Sequence, residues 1–199
     1  MSRFDNLAKE WDLNPNRVKS AKAVTQKLKE LVNIKDLDIC DFGAGTGLVT
    51  FDIFEDAKSV TAVDNSKGML SELERKAQSA SINNIQTLLL DIEKEQLPKN
   101  SFNLVISSMT MHHIKDTKEF LKKIKSSLNS GGYIAISDLL SEDGTFHERG
   151  NEGVHHFGFD KNKLIKIFEE LDIKVVDFSI VEVIKKHKEF EMFLIVGRV

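Results

Sequence analysis

Three kinds of residue in this 199-residue chain are of types that do chemistry. The first is a glycine-rich turn, Asp41-Phe42-Gly43-Ala44-Gly45-Thr46-Gly47. Glycines let the backbone turn tightly and let a ligand approach without interference from a Cβ. A helix after them offers N–H groups suited to a carboxylate or phosphate. Counting from Gly43, the third glycine of the dinucleotide fingerprint G-x-G-x-x-G would fall on Leu48, so the spacing departs from the NAD pattern. The second kind is an acid closing an apolar run. Asp64 ends Ser59-Val60-Thr61-Ala62-Val63-Asp64, 17 residues after Gly47. A carboxylate there accepts from both hydroxyls of a ribose, or caps the helix that Asn65 and Ser66 introduce. Asp91, followed by Ile92, ends the run that starts at Ile85; the pair suits an exocyclic amine and a purine face, or forms a plain turn. The third kind is histidine. His113, His155 and His156 are candidates for a general base or an acceptor-positioning group, the alternative being that His112 and His113 are structural and the others cap turns. No metal is expected, because no cysteine lies near and no spacing typical of a ligand set is present.

The elements that must position these groups are readable from the apolar pattern. Asn14-Pro15 reads as a cap and first turn of a helix carrying Val18, Ala21, Val24, Leu28 and Leu31. From residue 36 onward, strands alternate with helices. Strands are expected over Leu37–Phe42, Ser59–Asp64, Ile85–Leu90, Phe102–Ser107 and Tyr133–Leu139. Helices are expected after the glycines through Phe54, over Lys67–Ala80, after the Asp116 cap, and after the Asp160 cap. Gly131-Gly132 reads as a turn before the fifth strand. Val175–Ile184 and Glu189–Val196 follow each other without a helix, which is a hairpin signal. Five alternating strands imply a parallel sheet covered on both faces, and the hairpin makes it mixed. Ligands then bind beyond the carboxyl ends of the strands, where the glycines, Asp64 and Asp91 stand.

Composition bounds the partners. The length suits one domain, 1–199. A net charge of -3 with 30% charged residues carries no basic excess, so no nucleic-acid partner is expected. Cys40, the single cysteine, sits in an apolar run as a core thiol, which favours a reducing, cytoplasmic setting. Met1-Ser2-Arg3-Phe4-Asp5 lacks the apolar run of a signal peptide. No apolar segment approaches the roughly 20 residues of a bilayer span, so membrane insertion is not expected.

Taken together, the motifs resemble the class I S-adenosylmethionine-dependent methyltransferases. The match runs through Asp41–Gly47, Asp64, Asp91 with Leu97-Pro98 downstream, Phe102–Ser107 followed by Met111-His112-His113-Ile114, Leu128-Asn129-Ser130-Gly131-Gly132, and the terminal hairpin. The resemblance covers nearly the whole chain. It implies a Rossmann-like α/β fold with strand order 3-2-1-4-5-7-6 and an antiparallel last strand. It implies S-adenosylmethionine as donor, bound by Asp41, Gly43, Ala44, Gly45, Thr46 and Gly47. Asp64 with Asn65 and Met69 would hold the ribose side, Asp91 and Ile92 would flank the adenine, and Ser107 and Ser108 would line the methionine moiety. Phe4-Asp5-Asn6-Leu7-Ala8-Lys9-Glu10-Trp11-Asp12 resembles the opening of the quinone-biosynthesis-like, small-molecule branch. Residues 1–33 would then form a helical lid, with Trp11 covering the donor and Arg17 reaching its carboxylate; alternatively Trp11 and Phe4 only dock a short helix.

Methyl transfer from this donor is an in-line displacement that needs alignment and exclusion of water more than activation. Ser141–Gly158, with its histidines, would complete the acceptor side. Nucleic-acid amines are disfavoured because no Asp/Asn-Pro-Pro-aromatic motif follows the fourth strand, and no cysteine nucleophile is placed for cytosine. A small-molecule acceptor is expected, bound by a monomer or homodimer. Two rivals remain: a nucleotide-dependent oxidoreductase, and a non-catalytic S-adenosylmethionine-binding regulatory protein.

Overall fold

The computed structural model of the chain describes residues 3–147 and 150–199. Met1 and Ser2 of the N-terminal motif, and residues 148 and 149 of the Ser141–Gly158 segment, lie outside the described residues. The strands β1 (Asp38–Phe42), β2 (Ser59–Asp64), β3 (Ile85–Leu89), β4 (Phe102–Ser108), β5 (Leu128–Leu139), β6 (Lys174–Lys185) and β7 (Glu189–Arg198) form one sheet. Its order is β3-β2-β1-β4-β5-β7-β6, as expected. β1 to β5 pair in parallel, whereas β7 runs antiparallel to both β5 and β6.

The alternation of side chains along the strands builds two cores. On one face Cys40, Phe42, Val105, Ile134, Ile136, Phe193 and Ile195 meet Phe120, Leu121 and Ile124 of α5 (Thr117–Ser127) and Leu164 and Phe168 of α6 (Lys161–Glu170). On the other face Ile39, Val60, Leu104, Ile106, Ala135, Leu194 and Val196 meet Ala21, Val24 and Leu28 of α2 (Pro15–Leu31) and Ile53 of α3 (Thr50–Ile53). A sheet buried on both faces requires apolar residues of both parities, which is why β4 carries the run Leu104-Val105-Ile106 and β7 the run from Met192 to Val196.

Each cap sits where its residue type demands. Asn14 accepts from the Asn16 amide, Asp116 from Glu119 and Asp160 from Lys163. The cap of α4 (Lys67–Ser79) is Ser66, whose hydroxyl accepts from the Met69 amide. Asp64 stands two residues before that cap.

Two elements differ from expectation. Gly131-Gly132 lies inside β5 rather than before it, because Gly131 and Val199 extend the pairing: Gly131 N–H donates to Val199 O and Val199 N–H donates to Gly132 O. The helix after the glycines shrinks to the single turn of α3. Tight turns carry the chain to it, with Gly47 N–H donating to Ala44 O and Phe51 N–H to Gly47 O. Before α2, α1 (Arg3–Leu7) and a 3-10 segment, Ala8–Leu13, fold back over α4.

Candidate functional site

The carboxyl ends of β1, β2 and β4 open into one cavity of about 550 Å³. That volume is in the usual range for a small-molecule site. Gly43 and Ala44 tie the glycine turn to β2 by donating to Val63 O at 2.8 and 3.0 Å. Gly43 has φ +74°, and a Cβ there would lie 2.1 Å from the Thr110 hydroxyl, so only glycine fits. Gly47 is held against Leu73 in the same manner.

Asp64 accepts from the Gly45 amide and the Ser66 amide, both at 2.8 Å. Burial raises its pKa, and those N–H bonds oppose the rise. Asp41 is buried and accepts from the Thr50 hydroxyl at 2.6 Å; burial pushes its pKa up to about 7. Asp91 is different. It pairs with Lys94 at 2.7 Å and accepts from the Glu93 amide, and the Lys94 contact holds its pKa low. It therefore makes a turn while its neighbour Ile92 is buried beside the cavity.

The N-terminal segment covers this end. Trp11 lies over the glycine turn, its Nε1 3.9 Å from where a Gly45 Cβ would be. The Arg17 guanidinium stacks 3.6 Å from the Trp11 ring centre and donates to Trp11 O. Two acids latch the segment down. Asp5 accepts from the Ser66 hydroxyl and the Gly68 amide, and Asp12 accepts from the Thr46 hydroxyl and Lys76.

At the far end, β5 and the loop after β4 bring three imidazoles together. His112 and His113 lie on a 3-10 turn, Met111–His113, and His147 faces them from the Ser141–Gly158 segment. Ring centres of His112 are 4.1 Å from His113 and 5.1 Å from His147. Asp138, fully buried on β5, receives His112 Nδ1 at 2.9 Å. Phe4 meets His113 edge-on at 5.5 Å, so the N-terminal segment reaches this end also.

A family model described as a methyltransferase domain matches residues 33–171, more than half of the chain. The chain belongs to this methyltransferase family. Relatives include an uncharacterised methyltransferase of Schizosaccharomyces pombe, 29% identical over 69% of this chain and 53% of that protein. Another is a malonyl-[acyl-carrier protein] O-methyltransferase of Acetivibrio thermocellus, 32% identical over 84% of this chain and 56% of that one. The chain thus spans about half the length of such curated relatives. An S-adenosylmethionine-dependent methyltransferase structure from Aquifex aeolicus superposes with TM-score 0.77 at 20% identity, covering 98% of both chains. One from Mesorhizobium loti gives 0.74 at 17% identity, over 89% of this chain and 98% of that one. The shared fold is that of the class I S-adenosylmethionine-dependent methyltransferases, a family whose donor is S-adenosylmethionine.

Within this methyltransferase fold, most of the residues singled out from the sequence converge. Trp11, Arg17, Asp41, Gly43, Ala44, Gly45, Asp64, Asn65, Met69, Asp91, Ile92, Ser108 and His113 line the one cavity. Five do not. Thr46 and Gly47 support the turn from behind, through Asp12 and Leu73. Ser107 is buried in the sheet between Phe42 and Ile136, because adjacent strand residues face opposite sides and Ser108 takes the cavity side. His155 is exposed, and His156 is turned away, its Nε2 at 2.9 Å from Ile114 O and its ring against Phe159. The backbone N–H groups of both donate to His112 O, at 2.9 and 3.2 Å.

His112, His147, Asp138 and Thr110 take their places at the site. Of these, Asp138 had a readable signal: one acid in the apolar run Tyr133–Leu139. His147 had none beyond its residue type, since its position depends on how the segment folds back. Among the described residues, no helix is long and apolar enough to cross a membrane.

Proposed function

We propose that the protein transfers the methyl group of S-adenosylmethionine to a small-molecule acceptor by in-line displacement. One observation carries this reading: a single cavity joins the Gly43–Gly45 turn, Asp64 and Asp91-Ile92 at one end to the histidine cluster at the other, under the N-terminal segment. The glycine turn and Asp64 supply N–H donors and a carboxylate for the donor's polar parts. Asp64 would exchange its Gly45 contact for the ribose hydroxyls. Arg17, stacked on Trp11, stands at the cavity wall for the donor carboxylate. Trp11 and Phe4 exclude water from a sulfonium that needs no further activation. On this reading His113, at the acceptor end, acts as base or positioning group. A ligand held under an N-terminal lid is small, and 28 basic against 31 acidic residues supply no basic excess to bind nucleic acid. Cys40 is buried, in keeping with a reducing, cytoplasmic setting.

Calorimetry with S-adenosylmethionine and NAD, followed by a methyl-transfer assay on a panel of hydroxyl, amine and thiol compounds, tests the reading. Donor binding with turnover of at least one small acceptor is expected. Binding of NAD in preference would make the protein an oxidoreductase. Tight donor binding without transfer to any acceptor would make it a regulatory binding protein.

A further inference from the structure

The cluster at the acceptor end has features that a general base does not require. One ring nitrogen from each of His112, His113 and His147 lies within 4.8 Å of the other two. In a tetrahedral site with metal–nitrogen bonds of about 2.1 Å, ligand nitrogens stand roughly 3.4 Å apart, so side-chain rotations of about an ångström close the set. Hydrogen bonds behind two of the rings fix their tautomers. His113 Nδ1 meets Gly153 O at 2.7 Å, and a carbonyl only accepts, so the proton sits on Nδ1 and the lone pair on Nε2. His112 Nδ1 meets the Asp138 carboxylate at 2.9 and 3.0 Å. That carboxylate also accepts from the backbone N–H groups of His112 and Leu139, so it acts as an acceptor, and His112 likewise carries its proton on Nδ1. A carboxylate or carbonyl behind each imidazole is the arrangement that fixes tautomer and direction in metal-binding histidines. His147 supplies the third observation. Its Nδ1 is buried without a hydrogen-bond partner among the described residues, although buried polar atoms are normally paired.

We propose that His112, His113 and His147 bind a divalent transition-metal ion of the zinc class, with an open coordination position facing the cavity. Three imidazoles are a ligand set suited to such an ion, and three protein ligands leave one position for water or substrate. On the methyl-transfer reading, on which this last point rests, the open position takes an acceptor hydroxyl or thiol. Coordination releases its proton to water. The oxygen or sulfur pair then forms the bond to the donor methyl carbon, while the carbon–sulfur bond of the donor breaks and sulfur keeps its electrons.

Cobalt titration tests the site without reference to activity. Protein stripped with a chelator is titrated with Co2+, followed by visible absorption, and back-titrated with Zn2+. The expected result is one equivalent of Co2+ with an intense, low-coordinate ligand-field band, displaced by one equivalent of Zn2+. His113→Ala and His147→Ala, both at partly exposed positions, should each weaken binding at least tenfold, and exposed His155→Ala should not. Circular dichroism melting confirms that the variants fold. A wild-type protein that binds no Co2+, or binding that survives both cavity substitutions, overturns the proposal. Donor affinity is measured by calorimetry on the same preparations. Its absence would sink the methyltransferase reading and leave the metal site to be decided by cobalt alone.

Discussion

At the scale of single residues, Asp64 and Asp41 do opposite things with the same functional group. Asp64 has its carboxylate satisfied by two amides, one of them from the glycine turn. Charge-assisted hydrogen bonds contribute about 1.5–3 kcal/mol each. Asp64→Ala should therefore weaken S-adenosylmethionine binding by roughly ten- to a hundredfold, measured by calorimetry. Asp41 is buried against Thr50 and its pKa is pushed up to about 7. An unfolded aspartate titrates near 3.9. The native state therefore holds a proton that the unfolded chain has released, and stability falls as pH rises from about 4 to about 7. Each pH unit in that window costs about 1.4 kcal/mol from this group alone. Asp41→Asn keeps an acceptor for Thr50 and removes the titration. Its melting temperature should decline less than that of the wild type between pH 5 and pH 8; parallel declines would show that Asp41 is ionised throughout.

At the scale of elements, the N-terminal segment is fastened to α4 at one close approach. A Cβ on Gly68 would lie 2.7 Å from the Asp5 backbone, and Asp5 accepts from that same Gly68 amide. Gly68→Ala raises helix propensity by about 1 kcal/mol yet pushes α1 away. The expected outcome is a domain that melts no lower than the wild type but binds the donor several-fold more weakly. A lower melting temperature with unchanged affinity would show α1 to be part of the core rather than a cover. Much of this scale was legible. The caps at Asn14, Asp116 and Asp160 follow from residue types beside apolar periodicity, and the hairpin from two strands without a helix between them. The latch was not legible, because nothing local links Asp5 to Gly68 or Asp12 to Thr46. The shortness of α3 escaped as well, since tight turns and a helix present similar apolar spacing over a few residues.

At the scale of the whole molecule, both faces of one sheet carry the stability. Phe193 on β7 is fully buried, stacked on Phe178 at 5.0 Å. Truncation of a buried phenylalanine to alanine costs about 3–5 kcal/mol. Phe193→Ala should lower the stability by that amount in urea, with one cooperative transition, although the site is far along the chain from the glycine turn. Two separate transitions would show that the hairpin unfolds on its own. The sequence by itself determined the alternating strands, the helix caps and the terminal hairpin, because glycines, acids and apolar runs act through local backbone geometry; the strand order came from the resemblance to the methyltransferases. Only the tertiary structure decided the histidine end of the cavity. Strand parity put Ser108 rather than Ser107 at the cavity. The path of the Ser141–Gly158 segment turned His155 and His156 outward and brought His147 to His112 and His113. Those choices depend on packing between residues distant in sequence, and no local spacing encodes them.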